Sequence, residues 1–79
     1  MNNTNRMRAR RALKAVNLYR RALGLKGARQ GEALEEGLVD LLTDLRHLAA
    51  EKATDYGTLD YKANWHYTLE RHTEPAAEE

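Results

Sequence analysis

The sequence lacks several residue types on which small proteins and enzymes commonly depend. It has no Cys, so no disulfide can stabilise the chain, and it has neither Cys nor Ser to act as a nucleophile. Phe and Ile are also absent, and the apolar residues are mainly Leu and Ala. Because Leu and Ala favour helices whereas β-branched and aromatic residues favour strands, this composition predicts an all-α protein.

Two further absences limit the classes of function. No apolar run approaches the roughly 20 residues of a membrane-spanning helix, and the N-terminus lacks the apolar segment of a signal peptide. We therefore expect a cytoplasmic protein without membrane contact. No glycine-rich phosphate loop is present, and 79 residues leave little room for a pocket that encloses a substrate. The prediction is a non-enzymatic protein with no catalytic residue, no cofactor and no small-molecule substrate.

The formal net charge of +1 conceals a separation of charge along the chain. Residues 1–30 contain nine cationic residues and no acidic residue, whereas residues 31–79 contain four cationic and twelve acidic residues. Such a separation indicates either a charged partner or pairing between the two parts of the chain.

An apolar stripe in residues 31–53 is the strongest structural pattern. Its leucines recur at steps of four and three, which places them on one side of a helix: Leu34, Leu38, Leu41, Leu45 and Leu48. We expect this stripe to form the core. Gly37 lies close to the apolar side, where glycine costs about 1 kcal/mol relative to alanine, and this predicts the close approach of a neighbouring backbone.

Two further helices flank this central one, over about residues 6–23 and 59–72. The glycine-containing segment 24–31 should end the first helix and reverse the chain, which predicts an antiparallel helical hairpin. Thr58 is a candidate N-cap for the third helix.

The predicted organisation is a single three-helix domain over residues 6–72. Residues 1–5 and the acidic tail 73–79 are predicted to be disordered. A chain of 79 residues can bury only a small apolar core, and no disulfide stabilises it. We therefore expect the domain to associate as a homodimer.

A basic ridge is predicted on the first helix, formed by Arg6, Arg10, Lys14 and Arg21. These residues can contact nucleic-acid phosphates, or pair with the acidic central helix of the same or a neighbouring subunit, or bind an acidic protein. No base-reading motif accompanies the ridge, so any nucleic-acid binding should be non-specific. Arginines at the positive end of a helix dipole oppose helix formation, which requires either a neighbouring anionic group or fraying of the first turns.

The third helix carries Tyr61, Trp65 and Leu69 at a spacing of four residues. Tyr and Trp are enriched at the energetic centres of interfaces, so these residues are a candidate protein-binding site. The alternative is that the rings pack on the helical hairpin, and in a homodimer the two interpretations merge.

A metal site on the central helix is the remaining candidate, formed by Asp40, Asp44, His47 and Glu51. Carboxylates and imidazole are suitable ligands for divalent metals, but helical metal sites take ligands from several helices. The third helix offers only His66 and Glu70, so we interpret the four residues of the central helix as solvated, charged side chains and predict no metal site.

The segment from Asp40 to Leu48, followed by Asp55-Tyr56 and then by Leu59, Ala63, His66 and Tyr67, resembles short uncharacterised all-helical proteins of bacterial phages, plasmids and other mobile elements. The resemblance covers about residues 38–70 and omits the basic helix. It implies no activity and no residue role, only the context of a small accessory protein in a bacterial host cell.

Two functional hypotheses follow from the sequence. The first is a small interaction or regulatory protein that binds a protein partner or itself, either as an inhibitor of a host factor or as a structural component of a phage particle. The second is a nucleic-acid-binding accessory protein that uses the basic ridge.

Overall fold

The computed structural model of the chain describes residues 4–73, which form three helices joined by two turns. Helix α1 spans Thr4–Ala22, α2 spans Gly31–Glu51 and α3 spans Tyr56–Thr73. No strand occurs within residues 4–73, and the predicted all-α fold with three helices is confirmed. Of the segments predicted to be disordered, 1–5 and 73–79, residues 1–3 and 74–79 lie outside the described residues. The prediction is wrong for Thr4, Asn5 and Thr73, which belong to α1 and α3.

The first turn follows from a glycine just beyond the end of α1. Gly24 has a φ of +83°, in the left-handed region that favours glycine. The Leu25 amide donates to the Arg20 carbonyl and the Gly24 amide to the Arg21 carbonyl, both at 2.9 Å, which is the Schellman pattern of helix ends. The chain then reverses and α2 packs antiparallel to α1, as the sequence predicted.

The second turn uses the same hydrogen-bond pattern with an alanine in the left-handed position. The Thr54 amide donates to the Ala49 carbonyl at 2.8 Å and the Ala53 amide to the Ala50 carbonyl at 3.2 Å. Ala53 has a φ of +56°, a conformation that is unfavourable for residues other than glycine.

Asp55, rather than Thr58, caps the beginning of α3. The Asp55 carboxylate accepts a 2.6 Å hydrogen bond from the Thr58 hydroxyl, and the Asp55 carbonyl accepts one of 3.2 Å from the Leu59 amide. The prediction of Thr58 as N-cap is wrong because the helix begins at Tyr56, which places Thr58 inside its first turn.

The beginning of α1 contacts the end of α3. Asn5 Nδ2 donates a 3.0 Å hydrogen bond to the Glu70 carbonyl, and Arg8 Nε lies 3.6 Å from the Glu70 carboxylate. The carboxylate and the carbonyl end of α3 both present negative charge to the positive end of α1. The structure therefore supplies the anionic group that the arginines of the first turns require.

The three helices pack loosely. The molecule measures 40 × 31 × 17 Å. Its radius of gyration is 14.6 Å, against about 11–12 Å for a compact domain of this length.

Very little apolar surface is buried in this arrangement. Among the described apolar side chains, only Val16 and Ala49 are buried. In the predicted core stripe, Leu34 and Leu41 are half-buried. The other three leucines are exposed: Leu38, Leu45 and Leu48. The expectation that this stripe forms the core is therefore wrong, because α1 and α3 leave that side of α2 largely uncovered.

Candidate interaction surfaces

An apolar groove separates α2 from α3 beside the turn that joins them. Its volume is about 510 Å³, and its apolar lining consists mainly of Leu42, Leu45, Leu48, Tyr56 and Leu59. Leu45 and Leu48, which belong to the predicted core stripe, are 40% and 50% exposed. Sequence periodicity identified the side of α2 that needs to be covered, and the structure leaves that side open.

The aromatic ridge, formed by Tyr61, Trp65 and Leu69, is a second apolar surface on α3. These side chains are 72%, 55% and 45% exposed, so the alternative in which they pack on the hairpin is wrong. At about 3.6 residues per turn, they lie on the side of α3 opposite to Leu59 and Ala63, which line the apolar groove. Helix α3 therefore presents apolar side chains on two sides.

Aromatic rings make contacts with neighbouring side chains at both apolar surfaces. The Arg46 guanidinium lies 4.7 Å from the centroid of the Tyr56 ring, a cation–π contact that joins α2 to the start of α3 at one end of the apolar groove. On the ridge, the Trp65 and His66 rings meet edge to face with centroids 5.5 Å apart.

A basic cleft lies between α1 and the turn that leads to α2. Four cationic side chains surround a hollow of about 460 Å³ there: Arg10, Lys14, Arg21 and Arg29. The Ala28 amide donates a 2.7 Å hydrogen bond to Asn17 Oδ1, which holds the turn against α1. A Cβ at Gly27 would lie 3.1 Å from Arg21 Nη2 and 3.3 Å from Asn17 Oδ1, so both side chains would have to shift slightly to accommodate it.

The cleft brings together three of the four residues predicted for nucleic-acid binding, namely Arg10, Lys14 and Arg21. Arg6 is not among the described residues that line it. Arg29 was missed, because helical periodicity carries no information about a turn residue. The available signal was the spacing of Gly24, Gly27 and Gly31, which predicted a turn but not its position against α1.

Pairing between the basic helix and the acidic helix of the same chain is not observed. Within residues 4–73, no salt bridge joins α1 to α2, and Arg8 pairs with Glu70 of α3 instead. Two side chains of α1 make polar links to α2. Arg20 Nη1 donates to the Ala33 carbonyl at 2.9 Å, and the Tyr19 hydroxyl donates to the Asp44 carboxylate and lies 3.2 Å from the Asp40 carbonyl. The hydrogen bond to Asp44, with the nearby negative charges, raises the pKa of Tyr19 to about 12.

The acidic face occupies the first half of α2, where Glu32, Glu35, Glu36 and Asp40 surround a shallow hollow of about 580 Å³. Among residues 4–73, no group of three or more His, Cys, Asp or Glu side chains is arranged to hold a metal ion. Within the same residues, no helix combines the length and the apolar character needed to cross a membrane.

Comparison of the chain with protein-family models, with curated proteins and with solved structures gives no match. The resemblance of residues 38–70 to proteins of mobile elements therefore stays a prediction, and the function has to be argued from the surfaces themselves.

Proposed function

We propose that this chain is a non-enzymatic interaction protein whose partner is a second copy of itself. The observation that carries the proposal is the apolar groove, which leaves the main leucine stripe of α2 open to solvent. The mobile-element origin, the cytoplasmic location and the choice between a host-factor inhibitor and a phage component rest on the sequence alone.

A second copy fits the chemistry of both apolar surfaces. The aromatic ridge is a row of large side chains one helical turn apart, and the apolar groove is a concavity lined by leucines. The ridge of one copy can fill the groove of another, and because the two surfaces lie on opposite sides of α3, one such contact covers one ridge and one groove. Tyr and Trp are suited to the inserted positions because they bury a large area at low entropic cost.

The exposed apolar area of α2 and α3 is large. Nine of their large apolar side chains, leaving aside Val39 beside the acidic residues, are between 40% and 72% exposed: Leu38, Leu42, Leu45, Leu48, Leu59, Tyr61, Trp65, Tyr67 and Leu69. Together they offer on the order of 800 Å², divided between the sides of α3, and each partner buries about this area in an interface of standard size. At about 25 cal/mol per Å², covering this area stabilises a fold whose own core is thin.

Sedimentation equilibrium of the wild-type chain and three variants tests the proposal. We expect the wild type to be a dimer, and Leu48→Glu to be monomeric because it places a charge in the groove. Trp65→Ala should weaken the dimer by at least tenfold, because truncation of an aromatic hot-spot residue costs about 2 kcal/mol or more. The matched control is Leu18→Glu on α1, where the side chain is 70% exposed and belongs to neither surface.

Circular dichroism of each variant shows whether loss of association reflects loss of the fold. A wild-type chain that sediments as a monomer at every concentration would overturn the proposal. A dimer that resists Leu48→Glu but dissociates in Leu18→Glu would place the interface on α1 instead.

A further inference from the structure

We infer that the basic cleft, lined by Arg10, Lys14, Arg21 and Arg29, binds the phosphate groups of a nucleic-acid backbone. This site is separate from the two apolar surfaces, and the inference does not depend on the proposed dimer. Its ligand class is a polyanion with repeated phosphates, bound without regard to base sequence.

The geometry of the cleft is suited to an anion. Its cationic groups come from two elements, so they surround a hollow instead of forming a row on one exposed helix. The hydrogen bond from the Ala28 amide to Asn17 Oδ1 fixes the turn, and thereby positions Arg29 against α1. Guanidinium groups present paired N–H donors that match the oxygens of a phosphate.

The charge of the cleft is not neutralised by the protein. No carboxylate lines the hollow, and within the described part of the chain no salt bridge involves Arg10, Lys14, Arg21 or Arg29. The acidic residues nearest in sequence, Glu32, Glu35 and Glu36, belong to the acidic face, which surrounds its own hollow on α2. Four uncompensated cations around one concavity generate a field that attracts polyanions.

The basic surface extends beyond the cleft along α1. A neighbouring hollow of about 310 Å³ is lined by Met7, Arg10, Arg11 and Lys14. From Arg10 to Arg21 the helix rises roughly 16 Å, at about 1.5 Å per residue. Phosphates on one strand of a duplex recur every 3.4 Å or so along the axis, so the surface can contact several of them.

A nucleic acid fits this surface better than an acidic protein does. Large apolar side chains are scarce in the two hollows, with Leu13 in one and Met7 in the other. Protein interfaces require a well-packed apolar or aromatic centre, which the cleft lacks, whereas non-specific nucleic-acid binding depends almost entirely on cations.

Fluorescence anisotropy with a labelled single strand and a labelled duplex of the same sequence, titrated at several salt concentrations, tests the inference. The cleft variant is Lys14→Gln/Arg29→Gln, with one substitution in α1 and one in the turn. The charge-matched control is Lys62→Gln/Arg71→Gln on α3, which changes the net charge equally but lies outside the cleft. Helicity by circular dichroism verifies the fold of both variants.

We expect wild-type binding that weakens steeply as salt increases. The cleft variant should lose roughly 50-fold in affinity at 0.1 M salt, and the slope of log affinity against log salt should fall by about 2. The control should stay within about threefold of the wild type, because its charges contact no phosphate. The duplex and the single strand should both bind, since the contacts are to the backbone.

Two results would overturn the inference. The first is no binding by the wild type at low salt, and the second is equal weakening in the cleft variant and the control. If the wild type binds no nucleic acid and the cleft variant also loses self-association in sedimentation equilibrium, the cleft would be assigned to the acidic face of a second copy.

Discussion

Gly37 on α2 lies directly against side chains of α1. A Cβ at this position would lie 2.9 Å from Arg20 Cδ and 3.5 Å from Val16 Cγ2. The sequence predicted a neighbouring backbone here, but the neighbour is the aliphatic part of an arginine side chain. Arg20 is itself buried and cannot move aside easily, because Nε donates to the Lys26 carbonyl at 2.7 Å and Nη1 to the Ala33 carbonyl at 2.9 Å.

Gly37→Ala should therefore destabilise the fold even though alanine is the better helix former. We expect a net loss of about 1–2 kcal/mol in the free energy of unfolding, since overpacking outweighs a helix-propensity gain of about 1 kcal/mol. Urea denaturation monitored by circular dichroism measures this change.

The matched control for this prediction is Gly57→Ala on α3. A Cβ at Gly57 meets only Asp55 Oδ1 at 3.6 Å, an ordinary contact, so this variant should be neutral or stabilised by up to about 1 kcal/mol. Stabilisation of both variants to the same extent would contradict the role assigned to Arg20.

Arg20 also illustrates what sequence reasoning at single positions misses. In the sequence it is one of nine cationic residues in the first 30 positions. Its burial depends on two backbone carbonyls that only the folded turn and the start of α2 bring within reach. A charged residue with carbonyl partners gives no pattern along the chain, so its structural role was not predicted.

The beginning of α3 depends on the carboxylate of Asp55. The hydrogen bond from the Thr58 hydroxyl is the main cause that lowers the pKa of Asp55, and the amides of Gly57 and Thr58 lower it further, against the opposing effect of desolvation. The pKa of Asp55 is therefore lower in the folded than in the unfolded state. The stabilisation that its carboxylate provides is fully present at pH values above the ordinary pKa of a carboxyl group, and it is lost as the pH falls through the lowered pKa.

Two substitutions of Asp55 distinguish the effect of its capping hydrogen bonds from the effect of its negative charge. At neutral pH, Asp55→Ala should lower the Tm by several degrees because α3 loses its N-cap, whereas Asp55→Asn should lower it less because the amide oxygen still accepts hydrogen bonds. As the pH falls below the lowered pKa of Asp55, the difference between wild type and Asp55→Asn should disappear. Differential scanning calorimetry at several pH values measures this convergence, and a difference that persists in acid would contradict it.

At the scale of elements, the sequence was a good guide to the helices and a poorer guide to their ends. Leucine periodicity and the glycines of residues 24–31 predicted the hairpin, and the central helix ends within two residues of its predicted end. The start of α3 was placed about three residues too late. Both Asp55 and Thr58 are good caps, and the choice depends on the turn geometry at Ala53, which no sequence pattern reports.

For the whole molecule, periodicity identified which side chains share a side of a helix but not what covers them. The stripe that includes Leu45 and Leu48 was predicted to be a core, and in a single chain it lines an open groove. Likewise the ridge of Arg10, Lys14 and Arg21 was predicted, but the cleft was not, because Arg29 reaches it only through the fold of the turn.

Helix α3 is held at its two ends, at Tyr56 and Glu70, and every described residue of α3 other than these two is exposed. Such a helix can open as a unit while the α1–α2 hairpin around Val16 stays intact, because local opening costs little free energy where few contacts must break. In hydrogen exchange at low protein concentration, the amides of α3 should therefore exchange faster than those of α2 around Gly37. Raising the concentration should slow the exchange of α3 if a second copy covers it, whereas equal protection of both helices at low concentration would contradict this separate opening.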